Sequence, residues 1–439
     1  MRRRGVLLLA AALILPGPGR AQPAGVDTLT IDRAVELALQ HHPSLRAAEA
    51  GIRTAEAGRT LALSTYFPSI SFTASASHTE GVFVFNPVVP ARYQIYSSYT
   101  GGLSAQQVLF DFGKTIGKVG ASTEFASAAG ADYTSVREQV KLNVQVAYFA
   151  LLAAQRVAAV TEEAVGQAQK HLTQAKAFYA VGRRPQFDVT KAEVDLANAN
   201  VNQIRASNLK EVARVQLDNA MGVDPPRPYE VAEPTLLPTF DASMDSAKAL
   251  ALQRRPELAA ARARVEGNRA LARAAWSQHL PTLSAVGGWN WNGFQVSPLY
   301  PRWNAGLQLT LPLFLGFSVS AQVQQADATA DAAQATLDAQ TQAVLLDVEQ
   351  AYLGLKEAGE RRVATAKLVE QAEQNFIMAE RQYAAGVGTP LDVTDAQVSR
   401  SNAQITNIQA LYDYITSLVK LRRAMGIVDE YPGLELNSE

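Results

Sequence analysis

From Ile70 the chain alternates strictly, with Ile70, Phe72, Ala74 and Ala76 apolar and Ser71, Thr73, Ser75 and Ser77 polar. The pattern returns at Ile95, Tyr99, Leu103 and Ala105, set against Gln94, Ser98, Thr100 and Ser104. Further on, Leu283, Ala285, Gly287, Trp289 and Trp291 alternate with Thr282, Ser284, Asn290 and Asn292. Trp303, Ala305, Leu307, Leu309 and Leu311 complete the set against Asn304, Gln308 and Thr310. A period of two belongs to extended chain, whose successive side chains point to opposite faces. The pattern predicts four strands of roughly ten residues, in hairpins at about 69–110 and 282–313, with the length and alternation of transmembrane barrel strands. Aromatic residues near the strand ends (Phe83, Phe85, Tyr93, Trp289, Trp291, Tyr300 and Trp303) suit interfacial belts. The segments "FNPVVPAR" and "FQVSPLYPR" are the expected loops, outside the cell. The competing reading is two hairpins lying on a soluble core.

Between the hairpins the period changes. Ser318 to Gly386 holds no proline and is rich in Ala, Gln, Asp and Glu, all but Asp good helix formers. Such a helix is roughly 100 Å long at ~1.5 Å per residue. Residues 114–182 are its counterpart, and shorter helices return over about 187–221 and 390–425. One seam on the second long helix is Ala326, Ala330, Ala333, Leu337 and Val344; another, two positions later, is Ala328, Ala332, Ala335, Ala339 and Leu346. Two positions rotate a helix by about 200°, so the seams lie on opposite flanks. A helix with a neighbour on each flank and water on its other faces is a stave in a hollow wall, and heptad-like alanine spacing permits close coiled-coil contact. A long solvated coiled coil explains one seam better than two.

The chain is also written twice. "AVELALQHHPSLRAAEAGI" (34–52) parallels "AKALALQRRPELAAARARV" (247–265) at an offset of 213. Ala147-Tyr148 matches Ala351-Tyr352, and Ala220-Met221-Gly222 matches Ala424-Met425-Gly426, both at 204. The offset falls by about nine because the first copy has a longer hairpin region (213 − 204). Two repeats are expected, 22–232 and 233–426, with a tail over 427–439. Four strands cannot close a barrel, and open edges are not tolerated in lipid, so the chain must assemble.

Composition narrows the function. Arg2, Arg3 and Arg4, the apolar stretch Val6–Leu15 and Gly19-Arg20-Ala21 read as an export signal over 1–21. No other run approaches ~18 apolar residues, so no transmembrane helix is expected. A net charge of −1 gives no field for nucleic acid, and the absence of cysteine removes disulfides and thiolate chemistry. His41, His42, His78, His171 and His279 show no metal-ligand spacing, and "FGKT" at 112–115 lacks the glycine a phosphate loop needs at 108, where Val108 stands. No catalytic residue, cofactor or metal site is expected.

The duplicated order of helix, hairpin, long helix, turn and helix, with the turns "AVGRRPQFDV" and "AAGVGTPLDV", resembles the TolC family of outer-membrane efflux and secretion channels. The resemblance covers essentially the whole mature chain. It implies a mixed α and β fold: a homotrimer with a 12-stranded barrel in outer-membrane lipid continuing into a long α-helical barrel in the periplasm. It also implies docking onto an inner-membrane pump through a periplasmic adaptor protein. The rival is a soluble periplasmic coiled-coil adaptor or scaffold, which needs only one helical hairpin.

At the second turn, Gly386 suits a helix C-terminus, Thr389 suits a cap, Pro390 the first helical position and Asp392 the third. Capping alone accounts for Asp392, and the same reason extends to Asp188 of the first turn. Asp395 lies one helical turn further in, where the first copy has Lys191 (395 − 204). The resemblance implies that Asp392 and Asp395 form the constriction ring at the periplasmic entrance; the alternative for Asp395 is an ordinary solvated carboxylate. Some relatives close this end with a tyrosine and an arginine: Tyr383 matches the tyrosine, but Gly388 occupies the arginine position. Arg183, Arg184 and Asp188 are therefore the candidate gate partners of Tyr383. Gly182 and Gly386 match the adaptor-contact turns, although Ala385 replaces a commoner valine.

Overall fold

The computed structural model describes residues 27–83, 92–223, 229–233 and 243–427. The export signal, the loop "FNPVVPAR" up to residue 91, Phe85 and the tail beyond 427 lie outside the described residues. In the first copy the elements are β1 (Asp27–Leu29), α1 (Ile31–His41), α2 (Pro43–Leu63), β2 (Ser69–Phe83), β3 (Arg92–Phe110), α3 (Lys114–Ala180), α4 (Gln186–Met221) and β4 (Tyr229–Val231). In the second they are α5 (Met244–Arg254), α6 (Pro256–Trp276), β5 (Thr282–Gly293), β6 (Tyr300–Thr310), α7 (Ser318–Ala384) and α8 (Pro390–Met425).

The alternating segments form one four-stranded antiparallel sheet in the order β2-β3-β5-β6. On its polar face Ser71 and Ser104 meet through their hydroxyls at 2.8 Å, and Ser75 and Thr100 at 2.7 Å. Of the opposite set, Trp303 and Leu307 are 73% and 70% exposed. Among the described residues no element covers that face, whereas hairpins on a soluble core would bury it. The strands β2 and β3 run to 15 and 19 residues, longer than the alternation alone marks.

Strands β3 and β6 pass into the long helices through two successive left-handed residues, Phe112 (φ 54) with Gly113 (φ 94) and Gly316 (φ 61) with Phe317 (φ 67). The two corners match at 204 with phenylalanine and glycine exchanged, so each copy holds one bulky residue in a region that disfavours it. The helices α3 and α7 are 67 residues each, about 100 Å.

Mid-helix, the two copies build matching cores. Val140, Val144, Leu151, Leu217 and Met221 of the first correspond at 204 to Val344, Val348, Leu355, Leu421 and Met425 of the second. Ala34, Ala38 and Leu45 correspond at 213 to Ala247, Ala251 and Leu258. The first core is larger because α8 adds Tyr412, Ile415 and Val419 against Tyr148, Phe149 and Leu152 of α3. This explains a departure from expectation: an 18-residue window of α3 reaches a mean hydropathy of 1.4, long and apolar enough to cross a membrane. Val140, Val144, Tyr148, Phe149, Leu151 and Leu152 of α3 belong to a packed interior instead. Strands β1 and β4, absent from the sequence expectations, pair in parallel at this level, and the Tyr148 hydroxyl lies 2.9 Å from the Leu29 carbonyl and 2.7 Å from that of Ala232.

The copies differ in charge beside these cores. Arg255 is 5% exposed and binds Asp347 at 2.8 Å, the Arg423 carbonyl at 3.1 Å and Glu257 at 3.4 Å, while Arg423 also pairs with Glu257. Burial opposes the Glu257 charge, yet Arg255 and Arg423 outweigh it and hold the carboxyl below its usual range. At the equivalent first-copy positions stand His42, Ser44, Asn143 and Asn219, all without formal charge at neutral pH. Replacing Arg255 by Met leaves Glu257 and Asp347 with Arg423 as their remaining cation, an expected loss of about 2 kcal/mol in unfolding free energy. Exchanging all four residues for their first-copy counterparts (Arg255→His, Glu257→Ser, Asp347→Asn, Arg423→Asn) is expected to cost less than that single change. Denaturant unfolding of both variants checks the order.

Candidate functional site

The two turns end the long helices at the pole opposite the sheet. Gly182 (φ +68) and Gly386 (φ +81) take the left-handed conformation that ends a helix. Their amides donate to Tyr179 O at 2.9 Å and Tyr383 O at 3.1 Å. At Gly388 a Cβ would come within 3.0 Å of the Tyr383 amide nitrogen, and its own amide donates to Gln382 O at 3.0 Å. That close approach is a local reason for glycine at residue 388.

The second turn closes with a complete capping box. The Asp392 amide donates to Thr389 Oγ1 at 3.3 Å, and the Thr389 amide donates back to Asp392 Oδ2 at 2.9 Å. The Thr389 hydroxyl donates to that same oxygen at 2.7 Å. Bonds from the Thr389 hydroxyl and amide hold the Asp392 carboxyl below its ordinary range. Asp395 is exposed one turn further along α8.

The first turn departs from the capping expectation for Asp188. Pro185 stands at the Thr389 position and has neither a hydroxyl nor an amide hydrogen, so α4 begins without a side-chain cap. Asp188 turns inward, with Oδ2 buried and unpartnered, toward Tyr383. Burial first, then the Asp188 charge, raises the Tyr383 phenol, while Arg184 opposes them. The Arg184 guanidinium lies 5.4 Å from the centre of the Tyr383 ring, and Phe178 meets that ring edge-on at 6.3 Å. Tyr383, Arg184 and Asp188 are thus brought together across the two turns, whereas Arg183 is exposed.

A further tie between the hairpins was not read from the sequence. Arg400 of α8 reaches Glu163 of α3 at 3.1 Å, pairs with Glu373 of α7 and lies 5.1 Å from the centre of the Phe376 ring. Its first-copy counterpart is Leu196 (400 − 204), so an arginine inside an otherwise small-residue seam was the available signal. Nearby, Thr394 Oγ1 donates to Asp195 Oδ2 at 3.1 Å.

Strands β2 and β6 are the edges of the described sheet, two 67-residue helices run from it, and paired turns stand at the far pole; known proteins share this arrangement. The model for outer membrane efflux proteins matches residues 34–223 and 249–427. The chain belongs to that family. It is 25% identical to the proteases secretion protein PrtF of Dickeya chrysanthemi, over 99% of this chain and 95% of the relative. Against the outer membrane protein TolC of Vibrio cholerae it is 28% identical, over 71% of this chain and 73% of the other. The solved Campylobacter jejuni CmeC outer membrane channel shares the fold, with a TM-score of 0.81 at 20% identity, covering 91% of this chain and 87% of that one. The protein is an outer-membrane efflux or secretion channel with its helical part in the periplasm, not an enzyme and not a soluble scaffold.

Removing the Thr389 hydroxyl tests the cap. Thr389→Ala is expected to cost about 1 kcal/mol in the local stability of the α7–α8 turn. The sign with pH follows from the depressed Asp392 pKa: its contribution is full above the unfolded carboxylate value and lost as pH falls through the lower folded value. Amide exchange over 382–396 should show acid loosening in the native protein, and less of it in Thr389→Ala.

Proposed function

We propose that three copies of this chain close a 12-stranded barrel in the outer membrane, continuous with an α-helical tunnel across the periplasm. The tunnel serves as a passive conduit for an inner-membrane transporter that reaches it through a periplasmic adaptor. The observation that carries this reading is the pair of complementary open flanks. Strands β2 and β6 each have a partner on one side only. Helix α6 packs on both α3 and α7 and buries ten residues, whereas its repeat equivalent α2 packs on α3 and buries Leu45 alone. On α7 the seam Ala328, Ala332, Ala335, Ala339 and Leu346 is exposed, although Ala326, Ala330, Ala333, Leu337 and Val344 are at least partly covered. In the assembly α7 of one copy meets α2 of the next, as α3 meets α6 within the chain, and β6 meets β2.

The repeat also supplies the register. Within the chain Leu103 opposes Trp289; adding 204 and subtracting 213 places Leu307 opposite Ala76 of the next copy. The native protein has no cysteine, so Ala76→Cys with Leu307→Cys is a clean probe. Three strand spacings of ~4.8 Å separate these edges within one sheet, beyond the ~7 Å reach of a disulfide. Oxidation of outer membranes should give a covalent trimer on a denaturing gel; only monomer would remove this closure.

At the entrance, six carboxylates from Asp392 and Asp395 attract cations and exclude anions. Tyr383 with Asp188 and Arg184 forms the contact that holds the turns together, Arg184 in place of the arginine replaced by Gly388. The adaptor contacts the turns at Gly182 and Gly386. Replacing Asp392 and Asp395 by alanine is expected to weaken block by multivalent cations in planar-bilayer recordings, and unchanged block removes both from selectivity. The cargo is set by the partner transporter.

A further inference from the structure

Toward the turns, α4 and α8 leave a groove of about 410 Å³ over α3. Its floor is the α3 seam Val157, Thr161, Ala164, Ala168, His171 and Ala175. The space depends on small residues: at 204 further on, Ala164 becomes Leu368 and His171 becomes Asn375. Three buried polar atoms of groove-lining residues have no hydrogen-bond partner, namely Asp188 Oδ2, Gln397 Oε1 and His171 Nε2. An oxygen left in that state costs free energy that a ligand N–H would return.

The placement of these atoms describes the ligand. Asp188 lies beside Tyr383 at one end. Asp195, bonded to Thr394, lies seven residues further, about 10 Å along α4, and Gln397 is one turn beyond Thr394. His171 lies at this second level, where Asp195 of α4 and Glu380 of α7 favour positive charge and Lys170 of α3 opposes it. Burial is the leading influence on His171 and favours the neutral ring, which presents Nε2 as an acceptor in one tautomer. Lys191 is engaged with Asp195 at 3.7 Å, and Arg205 is ten residues past Asp195, about 15 Å. The groove therefore has two acceptor-rich stations joined by an apolar floor.

We propose that this groove binds a linear aliphatic diamine or oligoamine. One ammonium sits on Asp188, the other on Gln397 Oε1 and His171 Nε2, and the methylene chain crosses the floor at Ala175. Such a ligand touches α3, α4 and α8 together, so it ties one helical hairpin to the other and favours the arrangement in which both lie side by side.

Titration of octamethylenediamine into the purified full-length protein, read by calorimetry, is expected to show saturable binding with one ligand per chain. Ala175→Leu, which fills the floor between the two stations, should weaken binding at least about tenfold, as should Asp188→Asn. The titrations are repeated in the double variant Asp392→Asn with Asp395→Asn, which removes the cation-attracting entrance carboxylates, and the one-per-chain binding should persist there. Absence of saturable binding, native affinity in Ala175→Leu and Asp188→Asn, or loss of the binding in the Asp392 and Asp395 variant each overturns the proposal. Where Ala175→Leu lowers the thermal midpoint, Asp188→Asn decides the matter.

Discussion

Lipid offers no hydrogen bonds, so a strand in a bilayer needs a partner on both sides. In this chain β3 and β5 meet that condition and β2 and β6 do not. The helical part faces a milder form of the same problem, because α2 and one flank of α7 leave small apolar side chains uncovered. Both deficits fall at the edges of the same repeating unit, and the proposed closure relieves both. Duplication makes that closure economical: the junction inside the chain, β3 to β5 and α3 to α6, is the template for the proposed junction between chains.

The copies share a frame but not a chemistry. Eight buried core positions match at fixed offsets, and the turns match in the left-handed glycine that reverses the chain. Beyond that they diverge. One turn caps its helix with Thr389 and Asp392, while the other replaces the cap with Pro185 and turns its aspartate inward toward Tyr383. One core is flanked by Arg255, Glu257, Asp347 and Arg423, where the other has His42, Ser44, Asn143 and Asn219. In the proposed trimer, divergence of this kind breaks a sixfold plan into a threefold one, giving each copy a distinct position around the wall.

Much of this was legible in the residues. Strict alternation marks the strands, proline-free alanine-rich stretches mark the long helices, and the Thr389–Asp392 spacing announces its cap. Other features depend on contacts between distant segments. Strands β1 and β4 are three residues each, too short to carry a period. Asp188 sits in a motif like that of Asp392, and only the missing hydroxyl at residue 185 separates their fates. Arg400 reads as a surface arginine until Glu163 and Glu373 are brought to it. The apolar run in α3 is explained by the core it enters, which no local pattern displays.

The first hairpin is the taller one. Strand β3 begins at Arg92 but pairs with β5 only from Tyr99, so the backbone of its first seven residues pairs with β2 alone. At ~3.4 Å per residue this ribbon runs roughly 20 Å past the end of β5. A threefold rim would then be crenellated, with three projecting fingers between three low sills. Phages, antibodies and toxins arriving from the medium would touch the fingers first, where substitutions leave the pairing of the sheet below unchanged.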